Sequence, residues 1–229
     1  MGKISLYVLL ILIYLGLSKS LKTDEKRFYY KNYESLDQST SLLRPPTSLI
    51  LLDSYSEGLI LKTYLLKIRL IRVFSDNKDI TIKTSHEFWK KNAPNIGMSI
   101  LRLDEGHPKA EITPLPPGSY FIGSFTFGSW RLLNSGKRVW KFHRSYRDLP
   151  ELLGWGKWQP TKDFYKKILI HREQKLPFYG PNDEFGTKGS ITKANFKRSK
   201  ELRKFKKENF LLHLTKLFSL PGNAGEQDE

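Results

Sequence analysis

The chain has 229 residues and a formal net charge of +16 at pH 7, a length that suits one domain with at most a small appendage. A charge of this sign and size indicates an anionic partner, such as nucleic acid, a membrane surface or an acidic polymer. The chain has no cysteine, which excludes disulfides, thiolate catalysis and zinc sites built from cysteine.

Residues 1–20 have the pattern of a secretory signal peptide. Lys3 supplies a positive charge, Ile4 to Leu17 is mostly apolar, and Ser18-Lys19-Ser20 offers small residues for a cleavage site. The apolar run is shorter than the roughly 20 residues that cross a membrane as a helix. We therefore predict export to the periplasm or the outside of the cell, with a single uncleaved N-terminal membrane anchor as the alternative.

The next stretch, residues 21–46, is polar and ends at a Pro-Pro pair, which predicts a flexible linker with room for one segment that adheres to the domain. Residues 47–190 are predicted to form a β-rich globular domain. Strands are expected at 48–53, 68–73 and 80–84, because apolar residues there run or alternate between turn residues. A helix over 59–70 is the alternative for the middle strand, since that run has no internal breaker.

The second half of this domain holds most of the tryptophans and many of the glycines. Leu115 to Gly118 predicts a rigid turn that leads into a strand over 119–122. Residues 125–133 and 138–143 flank a polar, glycine-containing turn and predict a β-hairpin. Thr161 is expected to cap a helix that ends near residue 175 and packs on the sheet.

Residues 191–218 are rich in lysine and arginine and predict a basic helical segment, followed by a disordered tail over 219–229. Lys204 and Lys207 belong to this segment and are candidate ligands of anionic polymers or lipid headgroups. The predicted fold class is therefore α+β: one antiparallel β-rich domain with one packed helix and a basic C-terminal helix. We expect the protein to be a monomer.

Several short motifs resemble known catalytic or nucleotide-binding sites without completing them. His86 to Lys90 lacks the second histidine of a helical zinc site, and Gly123 to Gly128 lacks the lysine of a phosphate loop. Ser190-Ile191-Thr192-Lys193 fits the serine motif of penicillin-binding enzymes, but its usual K-T-G companion does not occur in the chain. We therefore predict no metal site, no cofactor and no nucleotide, and the residues reproduce the signature of no known family.

One acid–base arrangement is left after these exclusions. His143 leaves a predicted strand, and Asp148 and Glu151 follow it on a short turn, which suits a catalytic acid–base pair. We favour the simpler interpretation, a surface ion-pair cluster, so an enzyme is the second hypothesis: a hydrolase or transferase acting on an envelope polymer. Another polar group is expected to be a solvated loop rather than a cation site; it comprises Asp104, Glu105, His107 and Glu111.

The leading hypothesis rests on aromatic rings that stand beside basic residues. Aromatic rings can stack on sugars, peptides or nucleobases, and arginine or lysine side chains bind anionic groups. The candidate binding residues are Trp130, Trp140, Arg144, Arg147, Trp155, Trp158 and Tyr179. Core packing of the same rings is the competing interpretation.

We predict an exported, envelope-associated protein that binds an anionic or glycan polymer, or a membrane surface, through this aromatic and basic surface. Nucleic-acid binding is the third hypothesis, and it requires that residues 1–20 are not a cleaved signal.

Overall fold

The structure is a computed structural model that describes residues 7–11, 28–40, 45–58, 61–72, 77–104 and 110–195. In these ranges a curled, antiparallel-rich sheet and several helices form one α+β domain, as the sequence predicts. None of the helices described has the length and apolar character needed to cross a membrane. Residues 190–195 are helical, but Lys204, Lys207 and the rest of the predicted basic helix lie outside the described residues, as does the predicted tail.

The main sheet has five strands in the spatial order β1-β4-β3-β2-β5. Strand β2 pairs antiparallel with β3 on one side and with β5 on the other, whereas β1 runs parallel to β4. Residues 63–72 form a strand whose residues alternate between the two faces of the sheet, so the helical alternative for this run is wrong. The strands are β1 (Tyr29–Tyr30), β2 (Thr47–Glu57), β3 (Thr63–Arg72), β4 (Lys78–Thr84) and β5 (Ser99–Leu103).

Two helices cover one face of this sheet, α1 (Tyr33–Thr40) and α2 (His86–Asn92). Their buried Leu36 and Phe88 belong to a core cluster formed with the aliphatic side chains of β2, β3 and β5. Strand β1 and α1 lie within residues 21–46, so this part of the predicted flexible linker is folded. Its anchors are Tyr33 and Leu36, which are both buried.

The opposite face carries a second core cluster, in which Ile50, Ile71 and Met98 from the sheet region meet aromatic rings of the later chain. The predicted hairpin is present as β6 (Gly128–Leu132) and β7 (Arg138–Phe142), followed by the short helix α3 (Leu149–Leu152) and by α4 (Lys162–Glu173). Thr161 caps α4, since its hydroxyl accepts the Phe164 amide at 3.2 Å. The strand predicted over 119–122 is wrong, because the amides of Phe121 and Ile122 both bond to the Gly118 carbonyl in a turn.

An ionic network fixes the end of α4 to the edge of the sheet. Arg172 donates to both oxygens of Glu111 at 2.8 and 3.0 Å, and to Asp104 at 3.0 Å. Arg102, 2% exposed, lies 3.6 Å from Glu111 and donates to the carbonyls of Ser99 and Thr113. The interpretation of Asp104 and Glu111 as part of a solvated loop is therefore wrong, because both carboxylates hold packed elements together. Glu105 and His107, the other members of that group, lie outside the described residues.

These contacts set the acid–base behaviour of the two arginines. Burial lowers the pKa of Arg102 to about 10, and the nearby carboxylate of Glu111 opposes part of that shift. Burial also lowers the pKa of Arg172, but hydrogen bonds to Glu111 and Asp104 outweigh it and leave that pKa raised. Both guanidinium groups are thus charged at neutral pH and committed to the fold.

Candidate functional site

Two of the predicted binding tryptophans lie in the core. Trp140 is 1% exposed and Trp155 is 3% exposed. The Trp155 indole N–H donates to the Pro117 carbonyl at 2.9 Å, which satisfies the one polar group of the ring. The interpretation of Trp140 and Trp155 as surface binding residues is therefore wrong, because rings this deeply buried do not contact a ligand outside the protein.

The backbone around Trp155 explains its burial. Helix α3 ends in a Schellman motif: the Gly154 amide bonds to the Glu151 carbonyl, and the Trp155 amide bonds to the Pro150 carbonyl. Gly154 has φ = 75°, a left-handed conformation that glycine adopts most readily. In this motif the residue after the glycine commonly packs back on the helix. A short helix followed by Gly-Trp is the sequence signal that could have placed this ring in the core.

Trp130 and Trp158 are half-buried, and their neighbours are other rings of the core. Trp130 lies 5.7 Å, centroid to centroid, from Tyr165 of α4. Trp158 makes edge-to-face contacts with Phe164 at 4.9 Å and with Phe185 at 5.1 Å. Such pairs stabilise a core beyond the area they bury. A binding role for the exposed parts of these two rings stays a prediction.

Tyr179 lies on the wall of an open cavity of about 480 Å³ at the C-terminal end of α4. Its hydroxyl donates to the Asn95 side chain at 2.9 Å, and burial raises its pKa. The cavity has a size that can hold a small molecule, but cationic and anionic groups both line it and select no charge of ligand. Its lining includes Lys167, Ile170, His171, Phe178 and Asp183.

Two of the predicted catalytic residues, His143 and Asp148, have separate partners in the structure. The Nε2 atom of His143 lies 2.9 Å from the Phe125 carbonyl, and Asp148 pairs with Arg147 at 3.7 Å. Glu151 lies on α3, and its backbone carbonyl accepts the Gly154 amide. These contacts favour the surface ion-pair interpretation of the cluster, and an acid–base role for His143, Asp148 and Glu151 stays a prediction. Within the described ranges, no three His, Asp or Glu side chains come together as a metal site.

Exposed cations are concentrated on the β6–β7 hairpin and the 3₁₀ turn that follows it. The chain has no acidic residue between Glu111 and Asp148, so nothing in that stretch neutralises these bases. Arg147 pairs with Asp148, the residue that ends this stretch, and this one carboxylate offsets only part of the positive charge of the group. We call this group the hairpin face and count both sides of the ribbon in it, since Arg138 shares a side with Trp140 whereas Arg131 and Lys141 lie on the other. It consists of Arg131, Lys137, Arg138, Lys141, Arg144 and Arg147, all exposed.

The hairpin holds these cations on a rigid base. Trp130 and Trp140 stand opposite each other in the register and pack edge-to-face at 5.2 Å. The Trp140 amide donates to the Pro160 carbonyl at 2.9 Å, which ties β7 to the segment before α4. At the other end the turn closes through Gly136, whose φ is 75°. The buried rings thus anchor the hairpin, while residues 131–138 are all exposed.

Of the sequence candidates, the structure places Arg144 and Arg147 on the hairpin face and Tyr179 at the separate cavity. The candidate set missed the other cations of the face, although the long stretch without an acidic residue is a signal that could have found them. The set missed them because it followed the aromatic residues. Comparison of the chain with protein-family models, with curated proteins and with solved structures found no match.

Proposed function

We propose that this protein is exported and binds an anionic polymer of the cell envelope through the hairpin face. The observation that carries the proposal is a set of exposed cations on a rigid hairpin, within a stretch that has no acidic residue. Support for export comes from the signal-like pattern of residues 1–20. The tryptophans enter this proposal as the base of the hairpin, since Trp140 and Trp155 are buried.

The chemistry of the face fits phosphate or carboxylate groups spaced along a polymer. Arginine presents a planar fork that can bind either group with two hydrogen bonds. Exposed charges attract a partner over about 8–10 Å at moderate salt, and the attraction weakens as salt rises. Because the hairpin backbone is fixed by its register and by the Pro160 contact, binding has to order the cationic side chains but not the backbone that carries them.

The test measures binding of inorganic polyphosphate, a soluble polyanion, as a function of salt. In the test variant, glutamine replaces Arg131, Lys137, Arg138 and Lys141. In a matched control, glutamine replaces Lys62, Lys78, Lys90 and Lys188, which are exposed elsewhere on the domain. We expect the test variant to lose affinity by about tenfold or more, and its plot of log affinity against log salt to flatten by about 0.7 for each phosphate that the variant no longer binds.

The control decides whether position matters or only net charge. Near-normal polyphosphate affinity in the control, with loss in the hairpin variant, supports the hairpin face as the site. An equal loss in both variants would reduce the interaction to net charge and contradict the proposal. Retention of affinity and salt dependence by the hairpin variant would contradict it equally.

A further inference from the structure

Two leucines at the tip of the β6–β7 hairpin lie in solvent. Leu132 is 69% exposed and Leu133 is 44% exposed. Single exposed apolar residues are ordinary on protein surfaces, but here two adjacent leucines lie where β6 enters its turn, one on each side of the ribbon. We call this pair the apolar point. The side chains around this point are cationic or polar, since residues 131–138 read Arg-Leu-Leu-Asn-Ser-Gly-Lys-Arg.

The register of the hairpin places a cation beside Leu132, and Lys137 lies across the turn from Leu133. Leu132 stands opposite Arg138, so the two side chains share one face of the ribbon. The Leu133 amide donates to the Lys137 carbonyl at 2.9 Å, and the Gly136 amide donates to the Leu133 carbonyl at 2.9 Å. These bonds close a three-residue turn with glycine in the left-handed position. The backbone around the apolar point is therefore held in place by these hydrogen bonds. We call the neighbouring cations Arg131, Lys137 and Arg138 the collar.

We propose that this tip inserts into the headgroup region of an anionic lipid bilayer, with the two leucines reaching the acyl boundary and the collar bound to lipid phosphates. The inference rests on the proposed function, because the same cations would hold the anionic surface. It adds that the surface is a membrane. Basic residues near an anionic bilayer and apolar side chains below its headgroups strengthen binding together.

The shape and composition of the tip favour lipid over a dissolved polymer. A soluble polyanion is hydrated on all sides and gains nothing from leucine side chains. A bilayer offers anionic phosphates and, a few ångströms deeper, an apolar layer that takes up such side chains. All residues of the tip, 131–138, are exposed, so a deformable partner that surrounds them fits better than a rigid partner with no matching pocket.

The test measures sedimentation of the protein with vesicles of phosphatidylcholine that contain about 30% phosphatidylglycerol. The tip variant is Leu132→Asn with Leu133→Asn. The matched control is Leu169→Asn with Leu176→Asn, which changes two leucines that are 40% and 50% exposed away from the tip. We expect the tip variant to lose about tenfold or more in vesicle partitioning, and the control to bind as the unchanged protein does. Pure phosphatidylcholine vesicles are expected to bind weakly.

Polyphosphate binding by the same variants separates the two proposals. Loss of vesicle binding by the tip variant, with polyphosphate binding intact, supports insertion of the leucines. Full vesicle binding by the tip variant would overturn the insertion while leaving the anionic-polymer proposal standing. If glutamine at Arg131, Lys137, Arg138 and Lys141 changes neither vesicle nor polyphosphate binding, both proposals are wrong.

A reporter at the tip gives a direct readout of depth. Because the chain has no cysteine, Asn134→Cys introduces a single thiol that can carry a polarity-sensitive fluorophore. We expect its emission to shift to shorter wavelength and to gain intensity when anionic vesicles are added, whereas a label at Lys188→Cys does not change. An unchanged emission at the tip in a sample that still sediments with vesicles would show surface attachment without insertion and overturn the inference.

Discussion

The hairpin face and the aromatic core are built from the same stretch of chain, yet they differ in exposure. Between Gly128 and Trp158 the tryptophans pack edge-to-face in two pairs, each with one buried and one half-buried ring, while the arginines and lysines stay in solvent. The rings hold the hairpin in place, and the cations are what it presents. A stretch of sequence that is rich in both residue types therefore folds into a cationic surface supported by packed aromatic rings.

This difference teaches that charge predicts exposure better than ring content does. An unpaired arginine or lysine costs much free energy to bury, so its place at the surface follows from its chemistry. A tryptophan can be buried or exposed, depending on the backbone around it. Trp155 is buried because helix α3 ends at Gly154 and because the Pro117 carbonyl accepts the indole N–H.

The largest effect on stability is expected when a buried aromatic ring beneath the hairpin is removed. Trp155→Ala should lower the free energy of unfolding by about 3–5 kcal/mol, because it removes a buried ring and leaves a cavity. Its exposed neighbour supplies the control, and Lys157→Ala should change stability by about 0.5 kcal/mol or less. Denaturant unfolding of the two variants checks this. A loss near that of the control would place Trp155 outside the core.

The next largest effect on stability concerns a buried cation, Arg102. Glu111→Gln should cost about 3 kcal/mol, because it leaves the Arg102 guanidinium in the core without its neighbouring carboxylate. Asp163→Asn is the control, since Asp163 pairs with Lys166 at an exposed site, and such pairs contribute about 0–1 kcal/mol. Thermal melts compare the two. Equal, small losses would mean that Arg102 is stabilised by its carbonyl acceptors alone.

A smaller, pH-dependent effect is expected at Tyr33, on the other face of the sheet. Burial raises the pKa of Tyr33 to about 12, although its hydrogen bond to Asn92 lowers it in part. Because folding favours the protonated phenol, this contribution to stability is full below pH 10 and is lost as the pH rises toward 12. The lowered pKa of Arg102 acts in the opposite direction over a similar range.

Tyr33→Phe isolates the tyrosine contribution, since Arg102 is present in both proteins. The variant should lose about 1 kcal/mol at neutral pH through its missing hydrogen bond. We expect this difference to shrink between about pH 9 and about pH 11, because only the unchanged protein then loses stability at residue 33. Urea unfolding at both pH values checks it. A difference that stays constant would contradict a raised pKa.

Much of the fold could be predicted from local pattern. Alternation in residues 80–84, the turn before Lys137 and the Thr161 cap each specify their element through neighbouring residues alone. The sequence allows one adhering segment within residues 21–46 but does not predict helix α1, because this short, polar helix is held by distant contacts such as the bond from the Tyr33 hydroxyl to Asn92. The site was found only in part, because the core cluster that contains Trp140 also draws in Ile50 and Ile71, which lie far from it in sequence.

The central claim is that the tryptophans support the hairpin and the cations of the hairpin face bind the ligand. The rise in melting temperature on adding polyphosphate tests this claim most directly. A ligand that binds only the folded protein raises its stability by an amount set by affinity and concentration. We expect Trp155→Phe to melt lower than the unchanged protein but to keep the polyphosphate-induced rise. Glutamine at Arg131, Lys137, Arg138 and Lys141 should leave the melting temperature without ligand nearly unchanged and abolish the rise. A rise that survives in the glutamine variant, or disappears with Trp155→Phe alone, would contradict the account.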